Sequence, residues 1–162
     1  MGEHHPHSTE RVGLLGHSVG ASAAILTASR RHDMDALISI SAFAHPEWLM
    51  TRFLQSKYIP LPLVRLINRY IEWVIAHRFS DIASIYALSK VRCPTLLIHG
   101  GQDEVVPISD ARVMYQRNAA SHIQLWEIEQ VGHADAHYIE QHAGGLLDFL
   151  RKAGFEVQTP VK

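Results

Sequence analysis

Residues 16–20, Gly-His-Ser-Val-Gly, constrain the fold more than any other stretch of the chain. The apolar residues 12–15 come before them and the small residues 21–24 follow, which predicts a short buried strand and then a helix. A serine between two glycines at such a junction is typical of a nucleophile elbow, where the serine has a strained backbone. Residues two before and two after the serine should crowd each other, so we expect Gly16 and Gly20 to be required there.

Strand and helix signals alternate along most of the chain, which predicts a mostly parallel sheet with helices on both faces. Besides residues 12–15, the predicted strands are 36–41, 94–99 and 123–128. Helices are predicted over 19–31, over 109–118 with Ser109 as its cap, and from a cap at Asp135 to Lys152, with Gly154 ending the last one. We therefore expect one α/β domain over residues 1–162, with a half sheet of about four strands.

Residues 43–91 differ from the rest because they contain helical patterns and no convincing strand. Pro46 is expected to start a helix, and Pro60 and Pro62 to break it. Apolar residues then recur at helical spacing from 64 to 75, and Ser80 and Asp81 are expected to cap a short third helix. The segment is predicted to be a helical cap insertion over the elbow.

Composition excludes several classes of function for this chain of 162 residues. A net charge of −1 gives no reason to expect a nucleic-acid partner or an anionic membrane surface. No stretch approaches the roughly 20 apolar residues of a membrane span, and the N-terminus lacks an apolar signal region. The single cysteine, Cys93, fits a reducing compartment, so a cytoplasmic location is expected.

Three residues that can perform nucleophilic chemistry follow three of the predicted strands. Ser18 follows the first strand, Asp103 the third and His133 the fourth. The carboxyl ends of parallel strands share one edge of a sheet, so these side chains are expected to meet. The order Ser, Asp, His differs from the chymotrypsin and subtilisin orders and is that of a third serine-hydrolase class.

Other residues compete for these roles. Glu104 could replace Asp103 as the acid, whereas Glu127 and Glu129 follow the wrong strand. His17 is expected to pack or to bond to backbone, and His99 ends a buried strand. His137 and His142 are expected on the last helix, facing solvent. His133 and His137 could chelate a metal ion, but nothing else in the sequence completes a site, so no metal or cofactor is expected.

The sequence resembles the C-terminal part of an α/β-hydrolase, of the serine esterase or lipase type or the prolyl-oligopeptidase type. Residues 16–20 match the elbow, 99–107 (His-Gly-Gly-Gln-Asp-Glu-Val-Val-Pro) the acid loop and 131–133 (Val-Gly-His) the histidine loop. The resemblance implies that Ser18 is the nucleophile, His133 its base and Asp103 the orienting acid. The backbone N–H of Val19 is expected to be one oxyanion donor.

The resemblance begins at the strand before the elbow, so four strands of that family and the loop with its second oxyanion donor have no counterpart here. We expect an exposed strand edge from Val12 to Leu15 that pairs with a second copy or a complementing chain. The favoured function is a serine hydrolase acting on a small ester-type substrate, with a peptide or lactone bond as other possibilities. An impaired hydrolase module acting by association is the alternative, and haloperoxidase or lyase chemistry is a weaker one.

Overall fold

A four-stranded parallel sheet lies at the centre of the structure, a computed structural model that describes residues 11–133 and 141–156. The strands are β1 (Gly13–His17), β2 (Ala36–Ile40), β3 (Thr95–Gly100) and β4 (Ile123–Ile128), and they pair in the order β1-β2-β3-β4. Leu15 lies opposite Ile38 and Leu97 lies opposite Leu125. The predicted α/β fold with a parallel half sheet is confirmed.

Helices cover both faces of the sheet. They are α1 (Val19–Arg30), α2 (Pro46–Ser56), α3 (Leu61–Ile75), α4 (Ser84–Ala87), α5 (Ile108–Arg117) and α6 (Ala143–Lys152). Alternate side chains of a strand point to opposite faces, so two apolar clusters form. One cluster joins Leu37 and Leu97 to Ile25 of α1 and Met114 of α5, together with α4. The other joins Ile38, Ile40, Leu96 and Ile98 to Phe149 of α6. Each fully buried aliphatic side chain stabilises the fold by about 1.5–3 kcal/mol.

Several predicted helix boundaries are wrong. Ser109 lies inside α5, because Pro107, with its extended backbone, is the residue that precedes the helix. Ser80 and Asp81 lie in a 3₁₀ turn, Phe79–Ile82, and α4 begins only at Ser84. Gly154 follows α6 with φ of 88°, a left-handed conformation typical of a helix end. The predicted cap Asp135 lies outside the described residues.

Residues 43–91 contain α2, α3, α4 and two 3₁₀ turns, and no strand. Pro60 and Pro62 begin α3, since Pro60 precedes its first turn and Pro62 lies within it. The loop before α2 and α2 itself are bound to α5 through the buried Asp110. Its carboxylate accepts hydrogen bonds from both terminal nitrogens of Arg52, at 3.0 and 2.9 Å, and from the Ala44 amide at 3.0 Å. The role of this segment as a cap stays a prediction.

Among the described residues, no helix has the length and apolar character needed to cross a membrane.

Candidate active site

The turn between β1 and α1 holds Ser18 in an unusual backbone conformation. Its φ is 54° and its ψ is −118°, a region that residues with a side chain rarely adopt. A Cβ added to Gly16 would lie 2.3 Å from the carbonyl oxygen of Gly20, so a side chain cannot fit there. The expectation that Gly20 is also required is wrong, because a Cβ added to Gly20 would meet no heavy atom within 4 Å apart from its chain neighbours and the backbone of its own helix. Only the position before the serine, Gly16, is too crowded for a side chain.

Gly100, the last residue of β3, and Gly101 let the loop with Asp103 lie against the loop with His133. A Cβ on Gly100 would lie 2.2 Å from the carbonyl oxygen of Val131. The Gly101 amide donates to the Ile128 carbonyl at 2.8 Å, and the Gln102 amide donates to the Val131 carbonyl at 3.0 Å. The backbone of one loop is therefore hydrogen-bonded to the other.

Ser18, His133 and Asp103 are brought into one hydrogen-bonded line. The Oγ of Ser18 lies 3.0 Å from Nε2 of His133, and Nδ1 of His133 lies 2.8 Å from Oδ2 of Asp103. A carboxylate can only accept, so Nδ1 carries the ring proton and donates it to Asp103. Nε2 is then free to accept from the serine hydroxyl. This arrangement can remove a proton from Ser18.

The carboxylate of Asp103 is held ionised by its partners. Its side chain has no exposed surface, and burial alone would raise its pKa. Hydrogen bonds from the Val106 amide at 2.8 Å and from His133 outweigh that effect, and the pKa of Asp103 is lowered. The Val105 amide adds a third hydrogen bond, to Oδ1, at 3.0 Å. Asp103 is thus a fixed negative charge beside the imidazole.

His99 lies on the buried side of the same carboxylate. Its Nε2–H donates to the carbonyl oxygen of Val106 at 2.8 Å and lies 3.6 Å from Oδ2 of Asp103. The residue is 1% exposed, and burial lowers its pKa. His99 is therefore a neutral histidine that fixes the acid loop, and it has no contact with Ser18.

His17 contacts the histidine loop rather than the serine. Its Nε2–H donates to the backbone carbonyl oxygen of His133 at 2.8 Å, and the two rings lie 5.1 Å apart. This agrees with the expectation that His17 packs or bonds to backbone. The bond ties β1 to the loop after β4.

Val19 is the first residue of α1, and in the part of the chain that the structure describes its amide donates no hydrogen bond. The first amides of a helix carry partial positive charge. This N–H is available to an anion next to Ser18.

The competing residues lie elsewhere. Glu104 and Glu129 are exposed, and Glu127 accepts a hydrogen bond from Nε of Arg112 at 2.9 Å. His142 is exposed at the start of α6, and His137 lies outside the described residues. Within residues 11–133 and 141–156, no three His, Cys, Asp or Glu side chains are placed to hold a metal ion.

Sequence reasoning considered both histidines, His17 and His99, but did not identify the carbonyl groups that they bind. His99 stands four residues before Asp103, and His17 directly precedes Ser18, so both sequence distances were visible. Neither distance reveals which backbone carbonyl accepts from the ring. The fold alone brings the His133 carbonyl near His17, and the path of the loop after β3 brings the Val106 carbonyl near His99.

A model of the prolyl oligopeptidase family matches residues 1–157 of the chain. The chain belongs to the prolyl oligopeptidase family. This membership confirms the resemblance to α/β-hydrolases that the three motifs indicated. One relative is α/β hydrolase domain-containing protein 17C of Homo sapiens, which is 38% identical to this chain over 72 residues. These residues make up 44% of this chain and 22% of that protein. The Caenorhabditis elegans protein aho-3, also an α/β hydrolase domain-containing protein, is 41% identical over 63 residues, 39% of this chain and 18% of its own.

Solved structures of other proteins show the same fold. The Pyrococcus furiosus esterase Pf2001 superposes with a TM-score of 0.66 at 22% identity, over 88% of this chain and 53% of that protein. Pyrococcus horikoshii acylaminoacyl peptidase gives a TM-score of 0.64 at 16% identity, over 94% of this chain and 26% of that protein. The chain thus aligns with only part of the length of each of these proteins.

Proposed function

We propose that this chain carries the catalytic centre of a serine hydrolase that cleaves a carboxylic ester of a small substrate. The observation that supports this most directly is the hydrogen-bonded line from Asp103 through His133 to Ser18. A serine hydroxyl is a weak nucleophile until a base accepts its proton. Here the base is at 3.0 Å and its tautomer is set by a carboxylate at 2.8 Å.

The first half of the reaction forms an acyl-enzyme. Oγ of Ser18 attacks the ester carbonyl carbon while its proton moves to Nε2 of His133. The carbonyl oxygen becomes an oxyanion, which the Val19 amide at the start of α1 stabilises. When the tetrahedral centre collapses, the bond to the alcohol oxygen breaks, and the His133 imidazolium gives its proton to that oxygen. The negative charge of Asp103 stabilises the imidazolium throughout.

The second half repeats these steps with water. His133 accepts a proton from the water molecule as the water oxygen attacks the acyl carbon. The bond to Oγ then breaks, and the proton returns to Ser18. The products are a carboxylic acid and an alcohol, and the enzyme is regenerated. No cofactor takes part in any step.

The bond type is argued from the comparisons. The fold neighbours named above are called an esterase and an acylaminoacyl peptidase, which supports ester-type or peptide bonds. We favour the ester, because its alcohol is a better leaving group than an amine. A peptide or lactone would use the same residues.

The test uses a fluorophosphonate probe, which reacts preferentially with an activated serine. We expect the wild-type chain to be labelled and Ser18→Ala to remain unlabelled. Asp103→Asn keeps the acceptor for the Val105 and Val106 amides but reverses the polarity facing His133, so labelling should slow by about 10⁴-fold, as the equivalent change does in serine proteases. Glu104→Gln is the matched control and should react like wild type.

Hydrolysis of a panel of nitrophenyl esters then ranks acyl chain lengths. Labelling that persists in Ser18→Ala would refute the proposed nucleophile. Equal loss of labelling in Glu104→Gln and Asp103→Asn would refute the assigned acid.

The edge of the sheet favours a second function, association. In the described part of the chain β1 pairs with β2 on one side only, and Leu15 of this strand is 65% exposed. Unpaired strand edges with apolar side chains pair readily with other chains. We propose that a second copy or a complementing chain adds a strand beside β1, between Val12 and His17.

Light scattering during size exclusion at micromolar concentration tests this association. A dimer that Leu15→Lys converts to monomer is the expected result. A wild-type monomer would count against self-pairing, and fluorophosphonate labelling of that monomer would show that the site is competent by itself.

A further inference from the structure

Helix α3 packs one face against the described part of the chain and exposes an apolar second face. Val64 is fully buried and Asn68 is 4% exposed, so these residues mark the face toward the rest of the chain. On another face Leu66 is 65%, Tyr70 62% and Trp73 76% exposed. Leu63 and Val74, at 47% and 56% exposure, extend the same stripe. We call these five residues the outer stripe; a stripe of this size on a surface helix indicates a binding face.

A cavity of about 470 Å³ lies beside the outer stripe. Its lining includes Arg65 and Arg69 of α3 and Arg78. Glu47 and Glu72 line it too, but no carboxylate of the described residues lies within 4.0 Å of the three guanidinium groups. These are positive charges beside a space that could hold an anion.

Asn68, which is one of the residues that line the cavity, has an unsatisfied polar atom within the described part of the chain. Asn68 donates from Nδ2 to the hydroxyl of Thr51 at 3.3 Å, whereas its buried Oδ1 has no hydrogen-bond partner. A buried acceptor without a donor is costly, and such groups are rare in folded proteins. Because Oδ1 is buried, it is not exposed to an occupant of the cavity and does not contribute to binding there.

The outer stripe and the arginine side chains lie next to each other along α3. A second cavity of about 310 Å³ is lined by Arg69, Trp73, His77 and Arg78, together with the acidic residues Glu72 and Asp81. Trp and Tyr favour the boundary between headgroups and acyl chains, because their rings are apolar and their N–H or O–H groups are polar. Arginine binds phosphate through two parallel hydrogen bonds. This combination matches a phospholipid surface.

We propose that α3 docks the chain onto the surface of an anionic phospholipid bilayer. The outer stripe enters the headgroup boundary, and the three arginines bind headgroup phosphates. The helix lies on the membrane rather than crossing it. The net charge of −1 does not oppose this, since screening restricts each charge to about 8 Å at physiological salt.

A second copy of the chain fits the outer stripe less well. A two-fold contact uses the same surface patch of both copies. Arg65 and Arg69 of both copies would then lie at one interface, and like charges gathered there disfavour that arrangement. A lipid surface presents the opposite charge.

The experiment measures co-sedimentation of this chain with two kinds of vesicle. One kind contains phosphatidylcholine and phosphatidylserine, and the other contains phosphatidylcholine alone. We expect binding to the first kind, weakening as salt is raised, together with a blue shift of tryptophan emission. Trp73→Ala should weaken binding about tenfold and remove most of the shift.

Charge is tested with matched variants. Arg65→Gln and Arg69→Gln should each weaken binding to the anionic vesicles about fivefold. Arg30→Gln, which removes an exposed arginine at the end of α1, should have no effect. Circular dichroism should show that all variants melt like wild type, because the changed side chains are exposed.

Three outcomes would overturn the proposal. The first is equal vesicle binding by wild type and Trp73→Ala, or no binding at all. The second is self-association without vesicles that Trp73→Ala abolishes, which would assign the stripe to a second copy. The third is binding of inorganic phosphate that Arg65→Gln and Arg69→Gln weaken, without any vesicle binding, which would make the cavity a site for free phosphate. None of these readouts depends on hydrolysis.

Discussion

The two glycines of the elbow give a sharp test, because the structure assigns them opposite roles. In Gly16→Ala the new Cβ would lie 2.3, 2.5 and 2.7 Å from backbone atoms of residues 20 and 21, and ordinary contact begins at 3.4 Å. The largest deficit is therefore 3.4 − 2.3 = 1.1 Å. Only backbone can move to relieve it, so α1 must shift relative to β1.

Overpacking costs about 1–3 kcal/mol, and a clash with backbone belongs at the upper end, so Gly16→Ala should lower the free energy of unfolding by about 3 kcal/mol. The new Cβ of Gly20→Ala meets no atom within 4 Å apart from its chain neighbours and the backbone of its own helix, and residue 20 lies in the first turn of α1. This substitution should stabilise the chain by about 0.4–1 kcal/mol, because alanine has fewer unfolded conformations than glycine.

Urea unfolding followed by circular dichroism measures both changes against wild type. Fluorophosphonate labelling provides a second readout, since a shift of about 1 Å at Ser18 should slow the reaction about 100-fold in Gly16→Ala. Gly20→Ala should keep the wild-type rate. Equal destabilisation by the two substitutions would refute the one-sided crowding, and full reactivity of Gly16→Ala would show that the turn is not tightly constrained.

Three further predictions concern residues around the site. His17→Phe removes the hydrogen bond to the His133 carbonyl and should slow fluorophosphonate labelling about five- to tenfold. His17→Gln should recover part of the rate. Labelling of His17→Phe at the wild-type rate would show that His17 does not position the site. Burial lowers the pKa of His99 in the folded chain below its ordinary value of 6.5. As the pH falls, His99 is therefore protonated in the unfolded chain before it is protonated in the folded chain. The free energy of unfolding should be highest above about pH 6.5 and should decrease as the pH drops below that value. Urea unfolding at a series of pH values should show that slope, and His99→Asn should flatten it. Asp110→Ala should lower the free energy of unfolding by about 2–3 kcal/mol, less than for a fully buried ion pair because the Arg52 side chain is 35% exposed; a loss below 0.5 kcal/mol by urea titration would contradict this.

The sheet could be predicted from the sequence because its strands are short apolar runs that end in polar or glycine residues. The prediction for residues 123–128 matches β4, and the other three strands agree within two residues at each end. Predicted helix boundaries were wrong where the residue that precedes the helix is set by backbone geometry. At Ser109, for example, Pro107 precedes α5 and sets its start.

The candidate site could be placed but not completed. The carboxyl ends of parallel strands bring Ser18, Asp103 and His133 to one edge, which follows from strand direction alone. The donors to Oδ1 of Asp103 and the acceptor for His17 are backbone atoms, and any residue type supplies those. The cavity beside Arg65 and Arg69 was also missed, because its lining comes from three separate segments whose packing the residue pattern does not encode.

Because β1 is an edge strand, the part of the site that holds Ser18 should be less stable than the part that holds Asp103 and His133. The loops after the adjacent strands β3 and β4 hold the proposed acid and the proposed base, and backbone hydrogen bonds join these loops. Ser18 follows β1, which is the edge strand on the other side of β2 and has no neighbour on its outer side among the four described strands. Thermal fraying of that edge strand would separate Oγ of Ser18 from the imidazole while the carboxylate and the ring stay together. On warming, reactivity would then disappear before the helices melt, and a strand supplied in trans would raise the inactivation temperature more than the melting temperature.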